Sequence, residues 1–214
     1  MCLVKNKLLV YDCLIDELVK WDSEVMSCSK ERSLCSLTNV KLMKCLYAAC
    51  VMSAGGKNTV GDTLFGLFDN FLAYPKGPVE FDTYNNRAIL FRYEMGFDKE
   101  RVCLQECKEF RLEQRAMFNL SDDQTISPND QNWLTEIEKN DLLGYKNMLV
   151  ESINALKQAP SFPGLRDEQA LVEITHNNLW QEAYYSFNKQ LDTRNIAKLQ
   201  EEYNRFYSLI MKVA

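Results

Sequence analysis

Histidine is almost missing from this chain: His176 is the only one among 214 residues. Any His-assisted acid–base step, or any Cys–His nucleophile, must therefore run through that single side chain. Eight cysteines are present, at positions 2, 13, 28, 35, 45, 50, 103 and 107, but no Cys-x-x-Cys pair occurs. The spacings Cys28/Cys35, Cys45/Cys50 and Cys103/Cys107 miss the usual zinc-ligand pattern. A chain this well supplied with core residues does not need disulfide staples, so the expectation is reduced, mostly buried thiols with no metal and no cofactor. A phosphate-cradling loop is also lacking, because Gly55-Gly56-Lys57 has neither the upstream glycine nor the Lys-Ser/Thr ending. Basic surplus is absent too. Acids outnumber bases 30 to 25, for a net charge of −5, which argues against a nucleic-acid partner held by clustered Lys and Arg. Lys5, Lys7 and Asp12 interrupt the apolar start before a secretory core forms, and no apolar run approaches the roughly 20 residues needed to cross a bilayer. These absences together predict a cytoplasmic protein with no membrane partner.

What is present is an ordinary globular balance, 46% hydrophobic and 26% charged, rich enough for a core. Leu8, Tyr11, Ile15, Leu18 and Val25 recur at helical spacing and predict an amphipathic helix from Lys7 to Ser27, with a connector from Ser27 to Ser36. A second helix is predicted from an N-cap at Thr38 or Asn39 to Gly55-Gly56. It is apolar on two faces and belongs in the middle of a domain, with Lys41 and Lys44 emerging together on its polar side. Pro75 and Pro78 fix φ around Gly77, and Pro78 suits the first turn of a helix carrying Val79, Phe81 and Tyr84. The charge-dense stretch Asp98 to Arg115 reads as a solvated helix, and Asn119 to Asn132 as a loop. A long helix follows from Asn132 to Lys157, with Leu134, Ile137, Leu142 and Tyr145 as candidate contacts, and Ala159 to Gly164 ends it. A shorter helix from Arg166 to Ile174 leads into Thr175-His176 and an aromatic-rich segment from Trp180 to Phe187. Ile196, Leu199, Tyr203, Phe206 and Ile210 form a terminal stripe that folds back on its own domain.

Three separated stretches read as parts of one module. The first is Leu37-Thr38-Asn39-Val40-Lys41-Leu42-Met43-Lys44-Cys45-Leu46-Tyr47-Ala48, and the second is Ala73-Tyr74-Pro75-Lys76-Gly77-Pro78-Val79. The third is Leu171-Val172-Glu173-Ile174-Thr175-His176, followed by Trp180. This order resembles the Panacea domain, the antitoxin module of SocA-like proteolytic-adaptor antitoxins. There a lysine-rich helix ending in Leu-Tyr precedes an aromatic-x-x-Gly-Pro-Val turn and then a Leu-x-x-x-Thr-His…Trp element. Position 74 holds Tyr where Trp is commoner in that family, and position 76 holds Lys where an aromatic is common. Those changes keep the turn and alter which partner it would recognise.

The resemblance implies an antitoxin that binds and neutralises a toxin encoded nearby, by occlusion or by delivery to an ATP-dependent protease. It implies structural roles for Gly77, Pro78, Val79, Thr175, His176 and Trp180. The residues left to meet a partner are Lys41, Lys44, Tyr47, Tyr74 and Lys76. No catalytic residue is assigned. Two other readings stand beside it: a phage or mobile-element protein that blocks a host factor, and a cysteine-dependent enzyme using His176. The expected architecture is a single, mainly α domain of about six to eight helices, with at most a small β-hairpin near residues 60 to 75. Residues 1–36 would supply an N-terminal helix and connector, 37–188 the Panacea-like domain with an insertion over about 98–131, and 189–214 a helix packed on the same body.

Overall fold

The computed structural model describes residues 2–87, 90, 92–98, 101–108, 115–116, 136–186 and 188–212. Helix α1 (Cys2–Met26) carries more than the expected stripe, for Leu9, Val10, Leu14 and Val19 are buried along with Leu8, Tyr11, Ile15 and Leu18. Val25 alone of the stripe is exposed. The predicted connector contains a helix of its own, α2 (Lys30–Ser36), capped by the Ser29 side chain and anchored by buried Leu34. Polar residues hid it, because a helix this short shows only one apolar turn. Helix α3 (Asn39–Ser53) starts where the sequence places it, with Thr38 Oγ1 accepting from Lys41 N–H. Eleven of its fifteen residues are buried, which makes it the axis of the domain. α3 packs against α1, the turn at 64–66, the strand at 77–80 and the helices at 136–158, 168–175 and 196–210.

Residues 60 to 66 form two short 3₁₀ turns, and the hairpin lies later than expected, in β1 (Phe71–Tyr74) and β2 (Gly77–Glu80). The strands pair antiparallel from Phe71 opposite Glu80 to Tyr74 opposite Gly77, so Pro75-Lys76 is a two-residue turn. Pro78 therefore sits in a strand. Helix α4 (Phe81–Asn86) begins after Glu80, whose carboxylate accepts from Thr83 N–H at 2.7 Å. The outer edge of β1 is covered, because Ala73 N–H donates to Lys189 C=O and Leu191 N–H to Phe71 C=O.

Where a helix is expected over 98 to 115, residues 93–98 and 101–106 form a second hairpin, β3 (Tyr93–Asp98) with β4 (Arg101–Glu106), and 109–114 lie outside the described residues. Charge density pointed to a solvated helix, but Tyr93, Met95 and Phe97 alternate with Glu94, Gly96 and Asp98 at the period of a strand. The Tyr93 hydroxyl and Arg92 guanidinium both bind Asp16, tying this hairpin to α1.

Helix α5 (Glu136–Gln158) buries Leu142, Leu149, Ile153 and Leu156, with Tyr145 partly buried against the core. The expected loop over 119 to 132, Leu134, and the side chain of Ile137 lie outside the described residues. Helix α6 (Glu168–Thr175) is capped by Asp167, and α7 (Asn178–Tyr185) by Asn177. Helix α8 (Ile196–Ile210) turns Leu199, Phe206 and Ile210 inward against α3 and α7, so the terminal stripe packs on its own body. The chain is mainly α, with eight described helices and two small hairpins. No single helix among the described residues is long and apolar enough to cross a membrane.

One charge cluster fastens α1 to the first hairpin. The fully buried Lys7 ammonium donates to Asp69 at 2.8 Å, Glu80 at 2.8 Å and Asp82 at 2.6 Å. Burial opposes its charge, but the Glu80 carboxylate and the three hydrogen bonds outweigh burial and hold its pKa above the ordinary lysine range. Removing one partner of such a cluster strands the others. Lys7→Met should therefore cost about 3–5 kcal/mol of stability at neutral pH in denaturant unfolding. A loss below about 1 kcal/mol would show that these carboxylates are solvated like surface acids.

Candidate functional site

The three segments singled out in the sequence converge on the β1–β2 turn. Lys44, from the middle of α3, is only 1% exposed, and its ammonium donates to Pro78 C=O at 2.7 Å. Gly77 takes φ +92°, a conformation other residues avoid. A Cβ there would lie 2.9 Å from Thr175 Oγ1, 3.1 Å from Lys44 Nζ and 3.2 Å from His176 Cδ2. Glycine is thus required twice, by backbone conformation and by space. Thr175 Oγ1 turns back onto Leu171 and Val172 carbonyls, which satisfies it inside the core.

Asn177 links the other two segments. Its Nδ2 donates to the Tyr47 hydroxyl at 2.7 Å, while its Oδ1 accepts from Trp180 N–H at 3.0 Å and starts α7. Trp180 Nε1 in turn donates to Tyr74 C=O at 3.0 Å, fixing the last residue of β1. His176 lies flat on Trp180, with centroids 3.9 Å apart and planes 4° apart, and Trp180 stacks on Tyr184 at 4.6 Å. Tyr185, 80% exposed, closes the row edge-on. His176 Nε2 is buried and has no hydrogen-bond partner among the described residues. Burial, and after it the nearby Lys44 charge, lowers its pKa below the ordinary histidine range.

The contact residues expected from the sequence separate into two groups. Lys44 and Tyr47, expected at a partner surface, are buried. Lys44 does not emerge beside Lys41, because the hairpin and α6 close over that side of α3. Tyr47 packs edge-on against Phe65 and Phe71. Lys41 is half-buried, and its ammonium binds the Ser36 carbonyl at the end of α2. Tyr74 and Lys76 remain at the surface, with Tyr74 37% exposed.

Beside this turn a cleft of about 370 Å³ opens between α3 and the hairpin. Val40, Met43, Pro75, Val79 and Tyr84 give it apolar walls, and Asn39, Lys44, Tyr74 and Lys76 complete them. Neither the cleft nor the role of Asn177 was read from the sequence. An N-cap asparagine three residues before Trp180 was the available signal for the latter. A larger cavity of about 1010 Å³ lies between α2 and β4, with Cys35, Cys103 and Cys107 in its walls. Charges of both signs surround it (Lys30, Glu31, Arg32, Glu106), which gives it no defined ligand chemistry. Among the described residues, the one grouping able to hold a metal ion is Asp69, Glu80 and Asp82, and the Lys7 ammonium already bridges it.

No family model, no curated protein and no solved structure matches this chain. Its chemistry must therefore be read from the geometry. That geometry is a rigid turn backed by buried polar groups, an apolar cleft beside it, and a row of stacked aromatics behind it.

Lys44 makes this arrangement sensitive to pH. Burial pushes its pKa down to about 7, whereas the unfolded chain keeps the proton to about pH 10. Between these values the unfolded state binds more protons, so folding gains stability as pH rises. The penalty is complete below the folded pKa and disappears above the unfolded one. Relative to Lys44→Met, which cannot titrate, the native protein should gain about 2 kcal/mol between about pH 7 and 9 in urea unfolding. A stability difference that does not change with pH would show that Lys44 keeps its ordinary pKa.

Proposed function

We propose that this chain is an antitoxin-type binding protein, acting in the cytoplasm, that neutralises a toxin encoded beside it by direct contact. The observation that carries this reading is the convergence on one surface of the segments resembling the Panacea domain. Lys44, Tyr47, Thr175, His176 and Trp180 lie behind the turn, and Tyr74 and Lys76 stand on its outer side. A turn fastened this way loses little conformational entropy on binding, which favours affinity. Tyr74, whose carbonyl accepts from Trp180 Nε1, and Tyr185, edge-on to Trp180, are both exposed aromatics of the kind that anchor interfaces. Neutralisation could end in occlusion of the toxin or in its delivery to an ATP-dependent protease. Both routes begin with the same contact.

Tyr74→Ala should weaken binding to the product of the adjacent reading frame by about 2 kcal/mol or more, roughly 30-fold. Lys41→Ala should cost far less, and so should Tyr207→Ala on the outer side of α8. Titration calorimetry with each variant, after checking that its unfolding midpoint is unchanged, makes the comparison. Equal losses at Tyr74 and Tyr207, or none at Tyr74, would place the contact elsewhere.

A further inference from the structure

Two buried lysines in this chain have opposite surroundings. Lys7 is held by three carboxylates. Lys44 is held by one backbone carbonyl, and among the described residues no Asp or Glu comes within ion-pair distance of it. Lys44 is also part of the wall of the apolar cleft, and Lys76 stands exposed at the same cleft. The cleft lining thus holds two lysines and no acid, in a chain where acids outnumber bases 30 to 25. A cation behind apolar walls focuses positive potential into the space they enclose.

We propose that this cleft receives a glutamate side chain carried on an apolar segment of the protein partner, with Lys44 and Lys76 as the cations that select it. The inference rests on the binding-protein reading and names the chemistry of its partner. The folded protein has already desolvated Lys44, so at a pH below about 7, where it is charged, an arriving carboxylate gains the attraction of an uncompensated buried cation without a second desolvation cost on that side. The walls decide which carboxylate. A glutamate brings two methylenes that match Val40, Met43 and Val79. A chain-terminal carboxylate brings its own backbone N–H and neighbouring carbonyl, for which these walls offer few partners. The volume, about 370 Å³, suits a few side chains of a peptide.

The test is an NMR titration of the full chain at about pH 6, where Lys44 is charged, with three probes. They are acetyl-Leu-Glu-Leu-amide, acetyl-Leu-Gln-Leu-amide, and acetyl-Leu-Gln-Leu with a free terminal carboxylate. The Glu probe should shift resonances of Val40, Met43, Lys76 and Val79 and bind about tenfold tighter than its Gln counterpart. The free-acid Gln probe should bind no better than the amide. Lys76→Gln should reduce the Glu preference about two- to threefold at low salt, as expected for a rim charge. Lys44→Met, if it folds, should abolish that preference. Equal binding of Glu and Gln probes overturns the proposal, as does tighter binding of the free acid, shifts confined to another surface, or no saturable binding up to about 10 mM. Binding of the adjacent-frame product, measured in parallel, separates the two claims. A bound partner without any Glu preference in the cleft defeats this inference alone. A Glu preference with no bound partner defeats the binding-protein reading alone.

Discussion

The hydrogen bond from Lys44 to the Pro78 carbonyl is the contact on which the surface around the turn depends. It places a buried ammonium under Gly77, where Thr175 and His176 close in from α6 and leave no space for a side chain. Trp180 then fixes the other strand of the hairpin through the Tyr74 carbonyl. The turn between these two anchors is only Pro75-Lys76, so its orientation follows from them. An uncompensated buried lysine is destabilising when charged. Here the destabilised group lies beside a cleft, which is where stored free energy can be returned by a ligand.

Much of the fold was legible in the sequence because it rests on local signals. Thr38 announced α3, and the terminal stripe from Ile196 to Ile210 announced a helix that packs inward. The mainly α class followed from such stripes. The errors have two causes: tertiary packing that outweighs local charge, and apolar patterns too short or too interrupted by charge to stand out. Lys44 looked exposed because lysines usually are, and only the distant hairpin and α6 bury it. The β3–β4 hairpin looked like a solvated helix because its acidic and basic residues concealed a period of two. Helix α2 is held by Leu34 and a serine cap, too little apolar signal to stand out.

The site was legible in part. The sequence marked the three segments that meet at the turn, but it could not divide them into a supporting layer and a presented one. Lys44 and Tyr47 belong to the support, together with Asn177, whose bridging role needs two helices to be brought together first. Tyr74 and Lys76 belong to the presented layer. The cleft could not be foreseen at all, because Val40 and Met43 come from α3 and Val79 and Tyr84 from the hairpin and α4. Tyr74 and Lys76 thus fall on the presented layer, while Gly77 and Pro78 belong to the support.

The surface proposed for partner contact is the supported turn with its cleft. Amide hydrogen exchange on the full chain, free and bound to the product of the adjacent reading frame, tests it most directly. Binding should slow exchange over residues 39–44, 74–79 and 84, and leave the outer side of α8, at Tyr207 and Leu209, unchanged. Slowed exchange confined to α8, with the turn and cleft exchanging as in the free protein, would place the contact elsewhere.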